Sequence, residues 1–508
     1  MVSKQHYDVV VIGAGVGGLV TGAILAAKEG MKVIVLEKAP IIGGRTVCFG
    51  KQHGSDYSAS EVREILGECL SSTIIKSEPD FDRIIDKGIL KDFIIEGGYH
   101  GMTAGDRGRL AWIGRALGKR ISFADLTGFA YFKDGRWLQL PETTKDWPPE
   151  SIRERSRVAY ERLLITPEQA KKYLHVDLES YLESVTDDKL VRDYYRDMGR
   201  WYFGFTDARR LSAGEYINTQ NCVVYAGQHL IGGGGVGDAI GGVKTVADVL
   251  VSVIQENGGE VRTRHPVTEV IIRKWKAEGV VVKGKKGNEE IGASNVVCNP
   301  PPYNLFNIIP DKYFVGDLMQ RAKNMYATGA VTVNVCLKEP LEKDYPRGQF
   351  ICPVLPGAEN IDIPGGPPAF GFEQASMSDP SRAPEGRYLM QGADITVPEA
   401  LREPYHLQQQ ADAIIRFLRT QYPHFDNILD WYYVQACPFA YYAYTPDLVG
   451  DRRFPIRHPL VTNLFFTGDC VEGYWDNGCN GAAHAGVLCA NAVSGRQDYL
   501  NLLPFYWR

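Results

Sequence analysis

The sequence predicts an α/β chain: a Rossmann-like dinucleotide-binding domain interrupted by a discontinuous α+β domain. Three observations predict it. At the N-terminus, YDVVVI (7–12) reads as a buried parallel strand and Gly13-Ala14-Gly15-Val16-Gly17-Gly18 as a tight loop. LVTGAILAAKEG then reads as a helix ending at Gly30, and KVIVLEK (32–38) as a second strand, which completes a βαβ unit of roughly the 30 residues such a unit needs. At the C-terminus the same style returns, with strand LFFTGD (464–469), a loop, and the small-residue helix GAAHAGVLCANAV (481–493). Between the two ends the style changes: 148–225 is helical and charged, and 326–445 alternates strands and loops around one helix, PYHLQQQADAIIRFLRTQY.

The remaining elements follow in order. Segment 48–92 carries nine acidic and six basic residues and reads as two helices. Residues 93–140 are mixed, with a helix near 108–118 and a hairpin, FAYFKDGRWLQL, turning at Asp134-Gly135. The glycine cluster 231–242 leads into a helix at 243–256, and strands follow at 260–263, 267–273, 279–283 and 295–298. The expected dinucleotide domain is therefore 1–47, 226–305 and 446–508. The second domain is 93–225 and 306–445, with 48–92 as an inserted charged helical segment. That insertion reads as a lid, a dimer arm, a docking surface or a plain solvated hairpin.

Composition narrows the function. The 508 residues carry 56 Lys+Arg against 61 Asp+Glu, a net charge of −5. A weak, slightly negative field excludes the basic face of a nucleic-acid binder. The ten cysteines form no C-x-x-C pair and none has a His at zinc-ligand spacing, so no metal site is expected. They read as small core residues of a reducing cytoplasm. The uncharged run Val9–Ala27 is glycine-rich, and reads as strand, turn and helix rather than as a membrane span. The tail LNLLPFYWR is apolar for a terminus; it suits either packing on its own domain or peripheral contact with a membrane interface.

In Gly13-x-Gly15-x-x-Gly18 the first glycine permits the turn and the second lets backbone N–H groups approach a pyrophosphate. The third allows close helix–strand packing, and the helix N-terminus attracts phosphate charge. Glu37, followed by Lys38, ends the second strand, where a carboxylate accepts ribose hydroxyls and disfavours a 2′-phosphate. Just beyond, Gly43-Gly44-Arg45-Thr46 brings a guanidinium toward the same pyrophosphate.

With that G-G-R the chain resembles the flavin-dependent amine oxidase and carotenoid (phytoene) desaturase superfamily, closest to its phytoene desaturase-like branch. The mark of the family is a GR2-type dinucleotide fold that binds FAD. FIIEGGYHG (93–101) looks like the family's acid-Gly-x-His element, with Glu96 where Asp is usual. VVCNPPP (296–302) is similar to the strand that closes the FAD domain. The resemblance implies that the backbone of Val267 grips adenine. It also implies that Gly468 and Asp469 of LFFTGD contact the ribityl–pyrophosphate part. Independently, a helix starting near Gly481 and Ala482 would turn its positive end to the flavin and stabilise the charge that develops as hydride arrives.

Two departures separate the chain from the amine oxidases it resembles. Where they carry a Lys on a substrate-domain strand, this chain has Thr332, and where they carry an aromatic-cage Tyr, it has Gly478. The tyrosines of CPFAYYAYTP, namely Tyr441, Tyr442 and Tyr444, with Tyr474 and Trp475, read either as walls of an apolar pocket over the flavin or as core. His100 and His484 are acid–base candidates or structural hydrogen-bonders, and His484 on the last helix is the better placed. Gly232-Gly233-Gly234-Gly235-Val236-Gly237 mimics a second phosphate loop without a paired acid, and reads as a flexible active-site edge. The expected activity is hydride removal from a C–H bond of a lipophilic isoprenoid or alicyclic substrate, with Tyr442, Tyr444, Tyr474, Trp475 and His484 around the reacting carbon. The expected electron acceptor is a quinone or a carrier protein. Three rivals stay open: an amine or amino-acid oxidase, a saturase or cis–trans isomerase, and a non-catalytic FAD-bearing escort of prenylated proteins. The oligomeric state, homo- or hetero-, stays open as well.

Overall fold

The computed structural model describes residues 5–50, 58–98, 100–126, 128–203, 207–226, 236–284, 287–344, 347–473, 478–504 and 506. Tyr474, Trp475 and the glycines 232–235 lie outside the described residues.

The two ends of the chain meet in a seven-stranded sheet. His6–Ile12 runs parallel to Val33–Leu36 on one side and to Gly287–Cys298 on the other. The strand Gly287–Cys298 pairs antiparallel with Lys276–Gly284 through its first half. Its last residues pair parallel with Leu464–Phe466. Side chains alternate between two buried faces. Val9, Val11, Val33 and Val35 join a core with the helices Val16–Glu29, Lys244–Glu256 and Gly478–Ser494. Val10, Ile12, Ile34 and Leu36 join a second core beneath 302–325. The first and last helices touch closely enough for the Thr21 hydroxyl to donate to the Gly486 carbonyl at 3.1 Å.

The second domain rests on an eight-stranded sheet whose central strand, Ala327–Leu337, lies between Tyr388–Thr396 and Leu429–Tyr442. Val331, Val333 and Val335 face the amphipathic helix Pro404–Gln421. The alternate residues Ala330 and Thr332 face an internal cavity. The helices of 149–225 cover another part of this sheet, around Phe129, Tyr131 and Ile351. The expected hairpin at Asp134-Gly135 is present, with both residues at positive φ as a two-residue turn demands.

Two expectations about organisation are corrected. Segment 48–92 is not simply helical: it holds two short helices, Ala59–Ile65 and Phe81–Asp86, and the strand Thr73–Glu78, which pairs antiparallel with Leu429–Tyr442. Charge density suggested helices, but the β-branched start of TIIKSE suits a strand, and pairing there covers an otherwise open sheet edge. Likewise much of 94–123, expected in the second domain, associates with the first. Ile94–Glu96 pairs with Cys48–Gly50, and Leu110, Ala111 and Ile113 of the helix Arg109–Ala116 enter the core around the first and last helices. Leu503 of the apolar tail, with Tyr499 just before the tail, is buried in that same core.

Candidate functional site: a glycine-lined cleft opening into a sheet-walled cavity

A cavity of about 590 Å³ runs from the N-terminal glycine loop to the sheet of the second domain. The loop is shaped by close backbone approach. A Cβ at Gly17 would stand 2.7 Å from the Gly468 nitrogen, and one at Gly18 would stand 2.6 Å from the Gly13 carbonyl oxygen. Gly18 therefore serves helix–strand packing, whereas Gly13 and Gly15 line the cavity. The second glycine motif docks on the first, with Gly43 N–H donating to the Ala14 carbonyl at 2.9 Å. The helix Val16–Glu29 begins with no side-chain cap and no acid in its first turn, so its leading N–H groups are open to an anion.

Glu37 is buried, and its carboxylate accepts from Ala14 N–H at 2.8 Å and Ala39 N–H at 2.9 Å. Burial raises its pKa, against the lowering effect of these two N–H groups. Lys38 reaches across the cleft to Glu68 at 3.0 Å. Arg45 donates to Asp469 Oδ1 at 2.6 Å and to the Ala440 carbonyl at 2.9 Å, and stands 4.3 Å over the Phe439 ring. Burial works against its charge, but Asp469 outweighs burial and raises its pKa. Gly44, Val267, Gly468, Asp469 and Ala482 also line the cavity.

The reacting end gathers some expected residues and not others. Tyr442 lines the cavity with its hydroxyl buried and without a hydrogen-bond partner among the described residues; burial raises its pKa strongly. Tyr444 does not line it: the ring is buried under Arg453, 4.4 Å away, and beside Phe203. The chain leaves the strand at Tyr442, so the turn beyond sends Tyr444 into the helical layer. The last helix starts at Gly478, earlier than expected. Gly478, Cys479, Asn480 and Ala482 therefore line the cavity, whereas Gly481 and the buried His484 do not. His100 does line it, with Nδ1 3.1 Å from Glu96 Oε2. Burial opposes the charge of Glu96, yet Arg382 and His100 hold its carboxyl below the ordinary range.

Sequence reasoning missed several lining residues. Asn299, at the end of the strand Gly287–Cys298, lies against Gly13, Gly15 and Gly468. Its place in VVCNPPP, beside the loop in a parallel sheet, was a usable signal. Asp394, an acid inside the apolar run LMQGADIT, was another. Arg200, and the stretch 68–71, gave none.

Residues 16–494 match the family of flavin-containing amine oxidoreductases, and the chain belongs to that family. It is an FAD-dependent oxidoreductase. A relative aligned along nearly the whole chain is prolycopene isomerase, chloroplastic, from Daucus carota. It is 23% identical over 530 residues, covering 97% of this chain and 80% of the relative. A phytoene desaturase (neurosporene-forming) from Rhodobacter capsulatus is 28% identical over 302 residues, covering 57% and 52%. Digeranylgeranylglycerophospholipid reductase 2 from Methanococcoides burtonii is 42% identical over only 84 residues, so that the chain spans 20% of that relative and 16% of its own length is matched. Among solved structures, an oxidoreductase from Methanosarcina mazei superposes with a TM-score of 0.68 at 17% identity, over 96% of this chain and all of the other, 100%. At that identity it shows the fold. Among the described residues, no helix is long and apolar enough to cross a membrane.

Proposed function

We propose that the protein is a desaturase or dehydrogenase acting on a lipophilic, isoprenoid or alicyclic, molecule. Bound FAD supplies the two-electron acceptor for a departing hydride, and a quinone or an electron-carrier protein takes the electrons onward. The chain's own residues bind and orient. Glu37 would accept the ribose hydroxyls, the open helix start at Gly15–Gly17 and Arg45 would hold the pyrophosphate, and the Val267 backbone would hold adenine. Asp469 would hold the ribityl side, and the start of the last helix, at Asn480 and Ala482, would turn its positive end to the flavin. His100, steadied by Glu96, takes the proton that leaves the neighbouring carbon, so that loss of hydride and proton leaves one new double bond.

One observation carries the substrate class. Thr332 and Gly478 both line the cavity, so the two places where amine oxidases of this resemblance hold Lys and Tyr are at the site and supply neither. The walls there are Phe439, Tyr441, Tyr442 and Ala330, which favour an apolar substrate. A saturase or cis–trans isomerase on the same substrate class is the second reading, favoured by the alignment with prolycopene isomerase over 97% of the chain. Anaerobic mixing of the FAD-loaded protein with terpenes, alicyclic ketones and amines tests this. Bleaching by a terpene or alicyclic compound, with a product two hydrogens lighter, is expected. An isomer of unchanged mass supports the second reading, and bleaching confined to amines, with peroxide released in air, overturns both.

A further inference from the structure

We infer that the substrate carries a carboxylate, and that Arg200 seats it in the part of the cavity walled by the strands Gln349–Cys352, Phe370–Glu373 and Tyr388–Thr396. The inference deepens the proposed function and rests on its reading of this part of the cavity as the substrate site.

Arg200 lies in the last turn of the helix Lys189–Phe203 and lines the cavity. One of its Nη2 hydrogens goes to the Pro367 carbonyl at 3.0 Å, and that is its one protein hydrogen bond among the described residues. A guanidinium has five N–H donors in a planar fork, so most of this fork has no protein acceptor. No carboxylate among the described residues stands within ion-pair distance of it, although two are near. Asp394 is buried, and its Oδ2 already accepts from Ala369 N–H at 3.2 Å and from Gln410 at 3.0 Å. Burial pushes its pKa up to about 7, so near neutrality it is a weak counter-charge. Asp197, one helical turn before Arg200, lines the same cavity; burial raises its pKa to about 6, and it makes no ion pair or hydrogen bond with Arg200 among the described residues. Burial accordingly lowers the pKa of Arg200, with the two carboxyls failing to offset it.

Apart from Gln349 and the two carboxyls, the side chains of this wall are apolar, among them Ile351, Phe370, Ala393 and Ile395. A hydrocarbon would leave the donors of Arg200 unsatisfied in a dry site, which is costly. A planar carboxylate on an apolar body satisfies both surfaces, and the fork matches it bidentately. In the sheet, the strand Tyr388–Thr396 is two places from Leu429–Tyr442, which holds Phe439 and Tyr442. With Phe370–Glu373 and Gln349–Cys352 one and two places further on, the carboxylate seat lies about 10–20 Å from the aromatic end, far enough to orient the molecule without entering the chemistry.

The test is equilibrium binding to oxidised, FAD-loaded protein, followed by calorimetry and by the flavin difference spectrum. The probes are geranate, methyl geranate and geranylamine, with cyclohexanecarboxylate and its methyl ester beside them. At least one acid is expected to bind ten-fold or more tighter than its ester. Arg200→Gln should abolish that preference while FAD stays bound, and Arg200→Lys should keep part of it. Asp394→Asn should keep or strengthen acid binding, whereas a cation site would lose its ligand. That variant decides the question even where Arg200 variants fold poorly. Equal affinities, tighter binding of the amine, a preference surviving in Arg200→Gln, or no saturable binding of either acid overturns the inference. Failure of the desaturase reading looks different: the acids bind with their preference intact, yet no probe yields a product two hydrogens lighter.

Discussion

Two regions flank the cavity and use opposite devices. The dinucleotide cleft is shaped by missing side chains: glycines at 13, 15, 17 and 18 bring backbone against backbone, and polar groups such as the N–H groups of the loop, the Glu37 carboxylate and the Arg45–Asp469 pair face the space so left. The layer between the two sheets is filled with charge. Arg382 is fully buried among Glu96, at 3.6 Å, Gln391, Asp238 and Glu373. The cleft waits for a partner to satisfy its donors; the layer sets one buried arginine against several buried carboxyls. A change in the cleft should therefore cost the cofactor, and a change in the layer should cost the fold.

The largest expected effect is Gly15→Val. A Cβ there stands 2.7 Å from the Asn299 side chain, and a branched side chain fills the approach to the open helix start. Flavin absorbance per protein should fall to background, and a yellow purified variant would break the contrast. Next, Arg382→Met should destabilise the protein by about 3–5 kcal/mol, because it strands buried carboxylates. Thermal or denaturant unfolding measures this, and a near-native midpoint would mean that Arg382 does not hold the buried carboxyls in place.

The same layer makes stability pH-dependent. Burial pushes Asp238 up to about 7, and burial together with Asp238 raises Glu373 well above its ordinary value. Both bind protons more tightly folded than unfolded. Their contribution is fully present below the unfolded carboxylate range and is lost as pH rises toward 7. Asp238→Asn should consequently flatten the fall in Tm between about pH 4 and 7 and raise Tm by a few degrees at neutrality. A parallel decline in both proteins would sink the point. The smallest effect is Tyr442→Phe: its hydroxyl is buried without a partner among the described residues, so removal should shift stability by less than about 1 kcal/mol. Tyr442→Ala, by contrast, should slow flavin reduction by substrate while FAD stays bound. An unchanged reduction rate would place that ring in the core.

Local pattern was enough to read the glycine loop, Glu37, Arg45, the flavin family and the alternating valines of the central strands, because each depends on spacing within a few residues. Packing was needed for the rest. Whether Thr73–Glu78 is a strand depends on an edge offered by residues more than three hundred positions away. Tyr442 and Tyr444 differ by two residues and lie in different cores, because the strand ends between them. His484 looked like a flavin neighbour until the earlier helix start carried it past the cavity. Arg200 carries no signal in its own neighbourhood. Its meaning comes from Asp394 and Pro367, brought beside it only when the chain closes on itself, since a charge is defined by what surrounds it.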